Sequence, residues 1–272
     1  YHRNNLEIII NNLQNMKNIL VIIDECHIAC GHNQSLDKLF KRCNYENMDY
    51  IYENNIKFVQ FTATPEKLDK VFCEKFGSYA HIMTKMDVPN NYLSVKKLDD
   101  CERIHKALDL CGIENKETNK VDPLIYENIK QLNPFLEEFE PSYHIIRTPR
   151  GYLHDIVIKN FKHVFEKKEY MFLSEPKMTN GEFDTLLKKK PNTHVFIFIK
   201  DKLRCAKTIH HEFIGIVYDR IVKKPIESTI LQGLLGRMTG YHNNKKALIF
   251  TNYDLLTNEN EDENEDENED DD

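Results

Sequence analysis

The sequence predicts an α/β fold of two units, each built on a mainly parallel sheet, the first incomplete at its N-terminus. Three observations carry this prediction. The run Ile19-Leu20-Val21-Ile22-Ile23 goes straight into Asp24-Glu25-Cys26-His27, which reads as a strand buried on both faces with acids at its C-terminal end. The second half holds further short apolar runs at 143–148, 170–173, 194–199, 214–218 and 247–250. Helical spacing separates several of these runs, and strands alternating with helices favour parallel sheets.

The elements follow in order. Leu6, Ile9, Ile10 and Leu13 give 5–16 the spacing of a short helix. The strand ending at Asp24 comes next, then a loop at Cys30-Gly31-His32-Asn33. Ser35 suits the N-cap of a helix to about Tyr45, with Leu36, Leu39 and Phe40 inward. Lys57-Phe58-Val59-Gln60-Phe61-Thr62-Ala63-Thr64-Pro65 is a short strand ending in hydroxyl residues. Pro65 opens a helix with Leu68, Val71, Phe72 and Phe76 on one face, ended by Gly77. Between Ser78 and Pro141 the pattern weakens. A crossing strand at 92–95, helices at 104–111 and 123–139, and a loop at 115–122 are expected there. From Tyr143 the pattern is a strand, a turn at Pro149-Arg150-Gly151, and a helix presenting Leu153, Ile156, Val157 and Phe161. A short helix at 183–188 and one capped by Ser228 complete the set. The expected organisation is a first unit over 1–98, a helical connector over 99–141, a second unit over 142–257 and a tail over 258–272.

Composition narrows the class. The chain has 272 residues, 40% apolar, with no Trp but 15 Phe and 13 Tyr for core volume. No apolar stretch approaches a membrane span and no signal peptide opens the chain, so no membrane partner is expected. Seven Cys without a dense pattern suit a reducing, intracellular compartment, cytoplasm or nucleus, and not secretion. The net charge of −7 is local. Asn258 to Asp272 carries 11 acids and no base, which leaves 37 basic against 33 acidic residues in the body. A mildly basic body is compatible with nucleic acid. The Asn/Glu/Asp tail has nothing to bury and reads as a disordered, solvating segment. The Asn, Lys and Ile usage suits an AT-rich genome, such as that of a large DNA virus or a protist.

The motifs point to chemistry. A carboxylate at a parallel strand's C-terminal end can hold a hydrated Mg²⁺, and its neighbour can orient and deprotonate an attacking water. Asp24-Glu25-Cys26-His27 resembles the Walker B box of superfamily 2 helicases, Thr62-Ala63-Thr64 resembles their Ser/Thr-Ala-Thr motif, and Gln232-Gly233-Leu234-Leu235-Gly236-Arg237 resembles their last motif. The order is that of the family, as in helicases of large DNA viruses. The resemblance implies two RecA-like domains, ATP and Mg²⁺ as cofactors, and DNA or RNA as partner. It implies that Asp24 binds Mg²⁺ through water, that Glu25 activates the water, and that Arg237 and Gln232 face the nucleotide from the second domain. It makes His27, Thr62 and Thr64 coupling residues. Thr148, and Arg204 and Lys207 in Asp201-Lys202-Leu203-Arg204-Cys205-Ala206-Lys207-Thr208, become nucleic-acid contacts.

The chain also departs from the family. Three residues separate Gln232 from Gly236, where the family has its Gln two residues before Gly-Arg. Gly240 stands where a second arginine is usual. No Gly-x-x-x-x-Gly-Lys-Ser/Thr loop precedes Asp24. The resemblance therefore implies that this is the C-terminal portion of a longer protein, inactive alone without its phosphate-binding loop. The segment from Asp201 to Thr208 is not that loop: Asp201 and Ala206 replace both glycines, and a carboxylate there would repel phosphate. Cys26, His27, Cys30, His32 and Cys43 lack zinc-site spacing. Two other readings stand beside the ATPase: a non-catalytic remnant that binds nucleic acid or protein, and a different α/β phosphohydrolase using Asp24 and Glu25.

Overall fold

The computed structural model describes residues 3–24, 35–61, 82–84, 87, 89–112, 122–174, 180–200, 209–221, 233–242 and 244–252. The expected site residues Glu25, His27, Thr62, Thr64, Arg204, Lys207 and Gln232 lie outside the described residues. So do the expected Pro65 helix, Ser228 cap and acidic tail. The chain divides into two compact units, Tyr1–Asp87 and Val88–Asp272.

In the first unit, α1 (Arg3–Leu13), α2 (Ser35–Arg42) and α3 (Met48–Glu53) accompany β1 (Ile19–Ile23) and β2 (Ile56–Gln60). Asn47 caps α3 by accepting from the Tyr50 N–H, an arrangement that satisfies one orphan donor. The two strands pair in parallel from Ile19 opposite Ile56 to Ile23 opposite Gln60. Ile10, Leu39, Phe40, Cys43, Tyr45 and Ile56 form the core, with Ile19, Val21, Ile23 and Phe58 packed on it. The expectation that β1 is buried on both faces fails. Leu20 and Ile22 are 55% and 64% exposed, and among the described residues the core of this unit packs on the other face of the pair.

The second unit is a three-layer α/β structure. Its strands are β3 (Ile104–Lys106), β4 (Tyr143–Arg147), β5 (Met171–Ser174), β6 (Val195–Ile199), β7 (Ile214–Tyr218) and β8 (Leu248–Thr251). They lie in the order β3-β8-β7-β4-β6-β5, and every pairing is parallel. β4, β6 and β7 are buried at all positions, so apolar residues occupy both sides of the pleat. One face carries Ile145, Ile197 and Val217. It packs against Leu98 of α4 (Val95–Asp100), Leu187 of α8 (Asn180–Leu187) and Leu234 of α9 (Leu234–Arg237). The other carries Ile146, Phe196 and Tyr218. It packs against Ile129 of α5 (Pro123–Lys130), Leu136 of α6 (Asn133–Glu138) and Phe161 of α7 (Leu153–Val164).

This packing revises the segment before Tyr143. Residues 88–98 belong to the second unit, where the reading of the sequence put them in the first. The 99–141 segment is not a helical connector. It supplies an edge strand and the helices that cover one face of the sheet. The helix expected at 104–111 is instead β3 followed by chain without regular structure. Pairing with β8 won over the helical spacing, because Ile104 and Leu110 then reach opposite faces of the sheet. The helix expected at 123–139 breaks between α5 and α6. Pro134 has no N–H for the carbonyl four residues back and is tolerated only at the start of a new helix. Leu93, expected in a crossing strand, makes a single antiparallel bridge to Gly240.

Gly215 marks a bulge. β4 and β7 slip by one residue there, so that Tyr143 faces Ile214 and His144 faces Ile216. A Cβ on Gly215 would meet the His144 Cε1 at 2.8 Å, so the close approach of the buried imidazole leaves room for glycine alone.

Candidate functional site

Open α/β sheets bind ligands beyond the C-terminal ends of their strands, where the chain's path reverses direction across the sheet. In the second unit the path runs from β4 out to β5, back to β6, and then to β7 and β8 on the far side. The reversal point is the β4–β7 boundary. Polar residues collect there and along the neighbouring strand ends.

Arg147 ends β4, and Asp219 follows β7. The Arg147 NH1 lies 3.2 and 3.0 Å from the two carboxylate oxygens of Asp219. Both residues are buried, at 8% and 7% exposure. The backbone N–H of Arg220 also donates to Asp219 Oδ1 at 3.0 Å.

Beside this pair lies a relay of hydroxyls and one imidazole. The Thr148 hydroxyl donates to the Ile199 carbonyl at 3.1 Å, so its oxygen accepts from the His154 Nδ1–H at 2.6 Å. The His154 Nε2 is then the acceptor for the Ser174 hydroxyl at 2.8 Å. Burial, helped by the Lys200 cation, lowers the His154 pKa and keeps the ring neutral. Thr148 is fully buried and its hydroxyl is occupied on both sides. It therefore cannot serve as the nucleic-acid contact expected from the sequence. It ties the turn before α7 to β6. A cavity of about 680 Å³ between α7 and β5 is lined by Lys159, Lys162, Phe172 and Ser174, and the described candidates Asp24, Thr148 and Arg237 are not in its lining.

Asp24 lies directly after β1 and is exposed. The Phe61 N–H donates to the Ile23 carbonyl at 2.9 Å, which continues the β1–β2 ladder to the last residue before Asp24. The two strand ends that bear the acidic and threonine motifs are thus neighbours. An exposed carboxylate suits Mg²⁺, a hard cation that keeps several waters and takes one or two carboxylates.

Arg237 ends the one-turn helix α9 and is half-buried. Leu234, Leu235 and Met238 anchor its turn in the core. Gly240 has φ +129° and bridges Leu93, with N–H to carbonyl distances of 2.9 and 3.0 Å in the two directions. That φ is strained for any residue with a Cβ, so the second arginine of the helicase pattern does not fit this backbone.

Sequence reading missed Arg147, Asp219, His154 and Ser174. The signal for them is position: Arg147 and Ser174 end strands, Asp219 follows one directly, and His154 lies in the first turn of the helix after β4, on the side where such sheets bind ligands.

The burial of histidines has a measurable consequence. Burial lowers His144 well below the usual imidazole value, with the neighbouring His194 adding to the effect, and burial also lowers His154, His211 and His242. The unfolded chain then takes up protons before the folded one as pH falls. Stability is complete above about pH 6.5 and declines below it. His144, the most deeply buried of these rings, contributes to this loss in the same direction. Urea midpoints at pH 7.5, 6.5 and 5.5 check this, and a midpoint constant across the series would contradict it.

No protein-family model matches the chain. It is 25% identical over 241 residues to the uncharacterized protein L594 of Acanthamoeba polyphaga mimivirus, covering 86% of this chain and 56% of that protein. The chain thus spans little more than half the length of this curated relative. Among solved structures it is similar to S. cerevisiae Dbp5 bound to RNA and ADP BeF3. There the TM-score is 0.46 and the identity 14%, over 93% of this chain and 59% of that one. That likeness is too low to bear on function.

Proposed function

We propose that the chain is part of a nucleic-acid-stimulated ATPase of helicase superfamily 2, with two RecA-like domains. The observation that carries the reading is the parallel pairing of β1 with β2. It makes neighbours of the strands that lead into Asp24-Glu25 and Thr62-Ala63-Thr64, as coupling of water activation to the threonine motif requires. In this reading Asp24 holds Mg²⁺ through water and Glu25 orients and deprotonates the attacking water. Arg237 stabilises charge on the γ-phosphate, with Gln232 beside it. His27, Thr62 and Thr64 pass the nucleotide state onward. Arg204 and Lys207 neutralise backbone phosphates of DNA or RNA. ATP bound with Mg²⁺ supplies the phosphoryl group whose hydrolysis drives the cycle.

In this reading a larger parent polypeptide covers the side of the first unit's sheet that is exposed among the described residues. Leu20, Ile22, Val59 and Phe61 lie exposed on one side of a two-stranded parallel pair. Such sheets are stable only with both faces covered. We assign that cover to further chain of the parent protein, which also brings the phosphate-binding loop. Glu25→Gln in the full-length protein tests the reading. ATP turnover with saturating nucleic acid is lost while nucleotide binding persists, because the Mg²⁺ ligand remains. Full turnover in that variant would refute the assignment. The 272-residue chain by itself is expected to hydrolyse ATP negligibly.

A second reading, a non-catalytic nucleic-acid or protein binding module, draws on Gly240. Its backbone excludes the second arginine that superfamily 2 ATPases use.

A further inference from the structure

The turn that carries Arg237 is held from outside itself. A helix of four residues cannot sustain itself, and its last carbonyls have no partners within it. Here the carbonyls around Arg237 are met one after another by side chains and by a distant strand. The Gly236 carbonyl accepts from the Thr239 hydroxyl at 2.8 Å. That of Arg237 accepts from the His211 Nε2–H at 2.5 Å, and that of Met238 from the His242 Nε2–H at 2.9 Å. The Gly240 carbonyl accepts from the Leu93 N–H at 2.9 Å.

The two imidazoles form one piece. Their rings stack with centroids 3.8 Å apart and planes 7° from parallel. Asn244 fixes the loop beneath them by donating to the carbonyls of His211 at 2.5 Å and Ile214 at 2.8 Å. Burial lowers the pKa of both histidines, which keeps two stacked rings free of like charge.

The third grip comes from the segment just after the boundary between the compact units. Tyr92 donates its hydroxyl to Thr239 Oγ1 at 3.2 Å, and Leu93 makes the bridge to Gly240. Lys97 of α4 in turn donates to the carbonyls of Asn90 at 2.7 Å and Tyr92 at 2.8 Å, so this segment is itself fastened. This first segment of the second unit is thereby part of the mount of the arginine.

We propose that His211, His242 and Tyr92 are positioning residues for Arg237, setting the direction from which its guanidinium meets the nucleotide. This rests on the ATPase reading for its purpose but not for its geometry. The histidines do not touch the nucleotide. They act by fixing the carbonyls of two consecutive peptide bonds, Arg237–Met238 and Met238–Thr239, and so the backbone from which the Arg237 side chain projects.

The test has two arms. In the full-length protein, His211→Leu and His242→Leu lower the kcat for ATP about tenfold to a hundredfold, the range for a misplaced catalytic group, with KM little changed. His211→Gln and His242→Gln restore most of it, since a glutamine amide can donate to the same carbonyl. Tyr92→Phe, which removes one hydroxyl and is safe for folding, lowers kcat by a smaller factor. In the 272-residue chain, the ¹⁵Nε–H signal of Arg237, assigned by its loss in Arg237→Lys, shifts or broadens in Tyr92→Phe and in the Leu variants. It returns in the Gln variants. An Arg237 signal unmoved in Tyr92→Phe and both Leu variants overturns the proposal, as does equal loss of kcat in the Leu and Gln variants. A wild-type protein without ATP turnover refutes the ATPase reading alone, and the Arg237 signal still decides the mount.

Discussion

Arg237→Ala in the full-length protein is expected to lower ATP turnover about 10³-fold, the lower range for arginine fingers. The reason is local. In phosphoryl transfer the protein supplies position and charge, and a guanidinium at the γ-phosphate neutralises negative charge that grows in the transition state. Helicases of the resembled type usually carry a second arginine three residues on. Here that place is Gly240, whose φ of +129° serves the bridge to Leu93. No other arginine lies in this motif to compensate. Steady-state turnover with saturating nucleic acid is the measurement, with nucleotide affinity followed separately. Near-normal turnover would remove Arg237 from the mechanism and favour the binding-module reading. Arg237→Lys separates charge from shape: a lysine restores the positive charge without the planar fork and is expected to recover only part of the loss.

The strands of this fold are legible in the sequence because they are short, apolar and bounded by polar residues. The runs at 143–148, 194–199 and 214–218 became β4, β6 and β7 nearly to the residue, since a strand buried on both faces has no polar positions to blur it. The same logic misread β1. Its five apolar residues look like a central strand, yet only alternate ones meet the core, because the sequence does not reveal which faces of a strand find cover. The helix expected at 104–111 failed for a related reason. Ile104, Ala107, Leu108 and Leu110 have helical spacing, but the pairing that made a strand is with β8, far along the chain. Burial of α5 and α6 likewise could not be anticipated, since the strands they cover, β4, β6, β7 and β8, follow them in the chain.

The candidate site divides along the same line. Asp24 is legible as a candidate because a strand and its terminal acid are contiguous, and Arg237 because a local Gly-Arg pair resembles a family motif. The helicase resemblance makes Thr148 a nucleic-acid contact. Its hydroxyl instead faces inward to Ile199 and His154, and only the packing of α7 against β5 and β6 reveals that. Arg147 and Asp219 are 72 positions apart and neither sits in a recognisable motif. Their partnership arises from the adjacency of β4 and β7 in the sheet order.

That pair is where the largest effect on stability is expected. Arg147→Leu leaves the Asp219 carboxylate buried with its closest cation gone, and removing one partner of a buried pair costs about 3–5 kcal/mol. The Arg220 N–H still donates to one carboxylate oxygen and offsets part of this, so the lower end of the range is the better expectation. Replacing both, Arg147→Leu with Asp219→Leu, recovers most of the loss, because the desolvation cost of two charges disappears with their attraction. Urea unfolding of the wild type, both single variants and the double variant completes the cycle. A double variant as unstable as the sum of the singles would show that the two residues do not stabilise one another. The pair sits at the point where the chain's path reverses across the sheet, the place such folds reserve for ligands. A charged pair there holds β4 and β7 together at their ends and keeps a cation and an anion at the edge where such sheets bind ligands. The double variant therefore also separates the two uses. If it folds as stably as the wild type yet loses affinity for nucleic acid in the full-length protein, the charges serve the ligand as well as the sheet.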